Sequence, residues 1–204
     1  MQYIDLTHTF VPDMPVFPGD PGPELVQIAD IAKEGFADFQ IKTGMHVGTH
    51  MDAPAHILAG GKFLHEYPPQ KFFGHGVVLD ARGKSSAEEK LLSSAEVVKG
   101  DIVLVCFGWS SEFGQDEYYE NYPEITEALA KHLFDIGISV IGMDTPSPDR
   151  APYSVHKILF KQDILIIENL TNLEQLIGKK FEVVALPAKL QTEAAPCRVV
   201  AKLI

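Results

Sequence analysis

Apolar residues in this chain come in short, nearly unbroken runs. GVVLDA (76–81), DIVLVCF (101–107), ISVIGM (138–143), DILIIEN (163–169) and FEVVALP (181–187) read as mostly buried strands. FADFQIK (36–42) predicts a further strand, and CRVVAKLI (197–204) one that closes the sheet. Helical patterns alternate with these runs. PEITEALAKHLFDIG (123–137) repeats apolar residues at helical spacing, with a proline near its start and Gly137 placed to end it. SAEEKLLSSAEVVKG (86–100) and SVHKILFK (154–161) are further helical candidates. Core strands with helices between them predict an α/β fold with a strand-rich core.

One stretch breaks the alternation. VPDMPVFPGDPGP (11–23) carries five prolines and two glycines, which exclude regular structure. Its Val16 and Phe17 are too apolar for an idle linker, so an ordered arm is expected. At 204 residues the chain suits a single domain with a packed core. The net charge of −11, without a basic stripe, speaks against nucleic acid and anionic membranes as partners. No apolar run approaches the length of a membrane span. MQYIDLTHTF lacks the charged and apolar regions of a signal peptide, so a cytoplasmic protein is expected. The two cysteines have no ligand spacing, and Cys106 sits in an apolar run where a buried thiol is expected.

The chemistry concentrates in HVGTHMDAPAH (46–56), which holds His46, His50, Asp52 and His56. A helix would align His46 with His50 but turn Asp52 roughly 200° away from His50. An extended chain puts all four on one side, because all four positions are even. It would also spread them over roughly 33 Å, too far for one site. The segment must therefore bend, and Gly48 and Pro54 are suitable places. Imidazoles and a carboxylate brought together in this way suit zinc, manganese or iron, while a hydrogen-bonded polar turn is the plainer alternative. The remaining histidines at 8, 65, 75 and 132 read as ordinary polar residues.

HVGTHMDAPAH resembles the HxGTHxDxPxH signature of the cyclase-like metal-dependent hydrolases, the family of bacterial kynurenine formamidase and isatin hydrolase. IDLTHTF, MPVFPGDP, IGMDTPSPD, the pair His156 and Glu168, and FEVVALPAKLQTEAAPCRVVAKL resemble further family segments in the same order. The resemblance spans essentially the whole chain. It implies a compact, single-domain swivelling β/β/α fold, commonly dimeric, with the arm near the partner subunit. It also implies two divalent metal ions, zinc first and manganese as an alternative. His46, His50 and Asp52 would hold the first, Asp52 would bridge to a second bound by His156, and Glu168 would complete the centre. His56 would carry protons rather than ligate. The implied activity is hydrolysis of a small amide, with an N-formyl aryl amine such as N-formylkynurenine as the leading substrate. Formamidases usually have tryptophan before the Pro-Gly-Asp of the arm. Phe17 stands there in this chain, keeping an aromatic wall of different size. Two other readings remain: hydrolysis of a cyclic amide or lactone, and metal binding without catalysis. A serine hydrolase is disfavoured because no GxSxG elbow is present. Ser147 and Asp144 are read as pocket or loop-holding groups, and Trp109, Tyr118, Tyr119 and Tyr122 as packing residues.

Overall fold

The computed structural model describes residues 1–204. Its strands are β1 (Tyr3–Asp5), β2 (Glu24–Ala29), β3 (Asp38–Lys42), β4 (His50–Asp52), β5 (Phe73–Asp80), β6 (Ser86–Ala87), β7 (Ile102–Cys106), β8 (Glu124–Ile125), β9 (Val140–Met143), β10 (Leu165–Glu168), β11 (Phe181–Pro187) and β12 (Ala194–Leu203). Its α-helices are α1 (Ile31–Glu34), α2 (Glu127–Ile136) and α3 (Ser154–Phe160). Each long apolar run of the sequence became a strand of one sheet, ordered β1-β12-β11-β5-β7-β9-β10-β4. A further pairing of β4 with β12 closes that sheet, so seven strands form a barrel with β1 on its flank. The strands β5, β7, β9 and β10 run parallel, β4 and β11 join them antiparallel at the two ends, and β12 pairs antiparallel with both to complete the circuit.

The pleat divides each run between two cores, because successive side chains leave a strand on opposite faces. Ile102, Leu104 and Cys106 of β7 point into the barrel with Val140, Ile167, Phe181 and Val199. Val103 and Val105 point outward with Ile141, Met143 and Ile166, against Leu129 and Leu133 of α2 and Leu159 of α3. Barrel space is tight at Gly142, where a Cβ would lie 2.7 Å from Leu170 Cδ1 and 2.9 Å from Leu104 Cδ2. Both cysteines are free and buried.

Helix α2 begins later than the apolar pattern suggested. The Thr126 side chain caps it by accepting from Leu129 N, and Gly137 ends it in the left-handed conformation. The helix expected over 86–100 did not form. Ser86 and Ala87 pair with Glu124 and Ile125 as β6 and β8, and Glu89–Ser94 is a 3₁₀ segment. Ser93 and Ser94 donate their hydroxyls to the Lys90 and Leu91 carbonyls, competing with the acceptors that an α-helix would need. The strand expected at 36–42 is present as β3. It pairs with β2, a strand the sequence reading missed, in a hairpin outside the barrel.

Candidate metal centre

Closure of the barrel assembles the cluster. Met51 of β4 is buried in the barrel core, so His50 and Asp52 on either side of it point outward. In the register of β10 with β4, Glu168 lies opposite His50 and Ile166 opposite Asp52. Ile166 belongs to the outer core, so Glu168, two residues on, faces outward as well. The segment bends at the expected places. Gly48 has φ +65°, the left-handed conformation that favours glycine, and a Cβ there would also press on the Met14 thioether at 2.6 Å. Pro54 opens a 3₁₀ turn that carries His56 back over the strand, and His156 of α3 covers the outer side.

The side chains converge closely. His46 Nδ1 and His50 Nε2 are 3.2 Å apart, and Asp52 Oδ1 lies 3.1 Å from the first and 3.3 Å from the second. Glu168 Oε2 is 3.2 Å from His50 Nε2, and its Oε1 is 3.6 Å from His156 Nε2. Thus the ion-pair partners of Glu168 are imidazoles, not lysine or arginine. Ligand atoms group as His46, Asp52 and His56, and as His50, Asp52 and Glu168, each set within 4.8 Å, with Asp52 common to both. His56 therefore stands close enough to ligate, whereas the resemblance gives it a different role. The histidines at 8, 65, 75 and 132 lie outside both sets.

Hydrogen bonding at the outer ring nitrogens orients the imidazoles. His50 Nδ1 contacts the Gly48 carbonyl at 2.8 Å, and a carbonyl can only accept, so the neutral ring turns a lone pair on Nε2 inward. Asn169 supports that carbonyl by donating its Nδ2–H to it at 3.0 Å, and Tyr118 donates to Asn169 Oδ1 at 2.8 Å. Buried carboxylates facing lone pairs need positive charge between them. Without an ion, protons on the imidazoles supply it. Burial opposes charging His46, but Asp52, with Glu168 and Glu193 behind it, lifts it to about 9. Burial is likewise overcome at His156 by Asp149 and Glu168, which lift it to about 9. His50 is also raised, as Asp52 and Glu168 outweigh its burial. Burial works against ionising Asp52 and Glu168, yet the surrounding imidazoles hold both below their usual range. Even so, both Asp52 oxygens and His156 Nε2 are buried without a hydrogen-bond partner. That orphaned donor set fits a divalent cation, which takes imidazole nitrogen and carboxylate oxygen as ligands.

His46, His56, His156 and Glu168 form the floor of a cavity of about 450 Å³, with His50 and Asp52 buried among them. Phe17 of the arm lies on its wall, edge-on to Tyr119 with ring centroids 5.7 Å apart. The packing role expected of the aromatics holds for Tyr118, which is fully buried, and for Trp109, which packs on the outer core. Tyr122 is buried as well and also borders the cavity, whereas Tyr119 lines it, because Arg150 holds their loop across it. Arg150 stacks on Tyr122 at 3.7 Å and donates to the Glu120 and Tyr122 carbonyls at 3.0 and 3.1 Å. Ser147 is on the lining, its hydroxyl spent on the Asp149 carbonyl at 2.9 Å. Asp144 holds a loop, accepting from Phe107 N at 2.9 Å and Trp109 N at 3.0 Å. Burial raises its carboxyl to about 6 despite those bonds. Sequence reasoning missed Asp149, Arg150 and Asn169. A signal existed only for Asp149, an acid seven residues before His156.

Residues 4–150 match the family described as Putative cyclase. The chain belongs to that cyclase family. It is 33% identical over 205 residues to an uncharacterized protein of Methanocaldococcus jannaschii, with all of both chains covered. It is 30% identical over 202 residues to the kynurenine formamidase of Erythrobacter litoralis, covering 96% of this chain and 91% of that one. A solved structure described as a "predicted metal-dependent hydrolase", from Bacillus stearothermophilus, superposes with TM-score 0.82 at 28% identity, covering 98% of this chain and 97% of that one. Isatin hydrolase A of Labrenzia aggregata shares the fold at TM-score 0.88 and 24% identity, covering 98% and 93%. These relatives place the chain among the cyclase-family hydrolases, and its His, Asp and Glu cluster agrees with a divalent metal.

Proposed function

We propose that this cyclase-family protein is a metal-dependent hydrolase of a small amide, of the arylformamidase type. The observation that carries the reading is Asp52. It is a fully buried carboxylate whose oxygens accept no hydrogen bond, ion-paired with His46 and His50 and close to Glu168, beneath a cavity with aromatic walls. His46, His50, Asp52, His156 and Glu168 would hold two divalent ions, zinc or manganese, with Asp52 shared. Such ions supply Lewis acidity, polarising a carbonyl and lowering the pKa of water from 15.7 to about 7.

The chain's own residues do the rest. Phe17 and Tyr119 seat an aryl group on the cavity wall. His56 lies at the floor, and burial lowers its pKa, with His46 and His156 adding to the effect against Asp52. It is thus a neutral base at neutral pH. One of its ring nitrogens takes the proton of the attacking water as the C–O bond forms, and returns it to the amide nitrogen as the C–N bond breaks. The protein acts as a homodimer, a reading supported by the β2–β3 hairpin. Val26, Ile28, Phe39 and Ile41 are each more than half exposed there, and a two-stranded ribbon of this kind is marginal by itself.

The test is turnover of N-formylkynurenine, simple formyl anilides, cyclic amides and lactones by protein loaded with zinc or manganese, with and without chelator. Formyl anilide hydrolysis that chelator abolishes is expected. Turnover of cyclic substrates alone would move the protein to the isatin hydrolase type. Metal uptake without turnover of any of these would leave a binding protein.

A further inference from the structure

The imidazoles at the centre are not supported alike. His50 gives its outer N–H to a neutral carbonyl, and His46 Nε2 is 3.4 Å from Glu193, a side chain one-third exposed. His156 Nδ1 instead meets Asp149 Oδ1 at 2.5 Å, and Asp149 is itself only 5% exposed. The second carboxylate oxygen of Asp149 accepts from Val155 N at 2.6 Å. The Asp149 carbonyl accepts from Tyr122 OH at 3.2 Å and from Ser147 Oγ at 2.9 Å. Asp149 is therefore locked at both ends before it touches His156. When the ring is neutral, a carboxylate so placed holds the proton on Nδ1 and leaves the Nε2 lone pair for a cation on the Glu168 side. Nε2 is the buried, unpartnered atom on that side.

We propose that Asp149 is a positioning residue that selects the ring tautomer of His156 and so sets how tightly the cation on the His156–Glu168 side is held. The inference rests on the metal-centre reading above. Asp149 touches neither substrate nor ion, and works by orienting a ligand and raising its basicity. Outer partners of this kind are worth about 10–100-fold in metal affinity. The cation served by His46 and His50 is untouched by it, so the two ions should respond separately.

The test compares the full-length protein with Asp149→Ala, Asp149→Ser and Asp149→Asn. Manganese or zinc alone is titrated into metal-free protein by calorimetry, with ions counted by elemental analysis. ¹⁵N spectra of histidine-labelled, metal-free protein at alkaline pH, where the rings are neutral, report the tautomer. The expected result for Asp149→Ala is one of two binding events weakened by about 10–100-fold, the other unchanged, and loss of the single Nδ1–H signature of His156. Asp149→Asn keeps an acceptor oxygen and should restore that signature and part of the affinity. If the alanine variant does not fold, Asp149→Ser decides by the same criteria, since its hydroxyl can still serve Val155 N. Two events of wild-type affinity in a folded alanine or serine variant, or an unchanged His156 tautomer, overturn the role. A wild-type protein that takes up fewer than two ions fails the metal-centre reading itself, and this inference with it.

Discussion

At the scale of single residues, the proposal separates groups that hold ions from a group that moves protons. His56 belongs to a possible ligand set with His46 and Asp52, so its role is decided by what leaves with it. His56→Ala is expected to keep full metal content and lose turnover by about 10²–10⁴-fold, the range for a missing acid–base group. Loss of an ion by elemental analysis would make it a ligand. Asp52→Asn should lose at least one ion and nearly all activity, because an amide offsets the repulsion of two cations poorly. Full occupancy in that variant would contradict a shared carboxylate. Phe17 is 42% exposed on the cavity wall, edge-on to Tyr119. Phe17→Ala should raise KM for aryl substrates with metal content intact, and kinetics unchanged on every aryl substrate would remove Phe17 from the site.

At the scale of elements, strands were read well because apolar runs bounded by polar turns have few other uses, and the core needed both faces of β7, β9 and β10. The 86–100 segment was misread because its helical spacing competes with serine-to-backbone bonds and with the pairing of Ala87 and Ile125, which lies 38 residues further on. Strand β9 carries a constraint that no propensity reveals. Gly142→Ala would push a methyl group to 2.7 Å from the Leu170 side chain inside a closed barrel. A loss of about 1–3 kcal/mol is expected from such overpacking, read as a lower midpoint in denaturant at unchanged slope. Wild-type stability in this variant would show that Leu170 and Leu104 have room to move.

At the scale of the molecule, metal binding and folding should be coupled through pH. In the metal-free protein, His46 and His156 have pKa values raised to about 9 from an unfolded value of 6.5. Their contribution to stability is fully present below pH 6.5 and is lost as pH rises through about 9. Ligation runs the other way, since the imidazoles must be deprotonated to bind, so metal affinity grows over the same interval. The difference in Tm between loaded and chelated protein should therefore widen from pH 6.5 to pH 9. A gap that is constant or narrows would show that the ion does not displace these protons. Assembly is tested separately: Phe39→Glu with Ile41→Glu in the exposed hairpin should shift a dimer toward monomer in analytical ultracentrifugation, and a wild-type monomer would refute the dimer.

The sequence by itself determined the strand-rich α/β class and the family. It also determined that His46, His50, Asp52 and His56 leave one side of a bent segment, because side-chain direction along an extended chain is a local property that a glycine and a proline can redirect locally. It placed His156 and Glu168 only through resemblance, since neither carries a local sign of its role. The tertiary structure decided the remainder. Glu168 comes opposite His50 because β4 pairs with both β10 and β12 when the barrel closes, a register that spans more than a hundred residues. Asp149, Arg150, Asn169 and Tyr119 acquire their places from loops packed over that closure. The partners of Arg150, Asn169 and Tyr119 are distant in sequence, and no period or spacing along the chain encodes such contacts; only Asp149 has its main partners, Val155 and His156, close by.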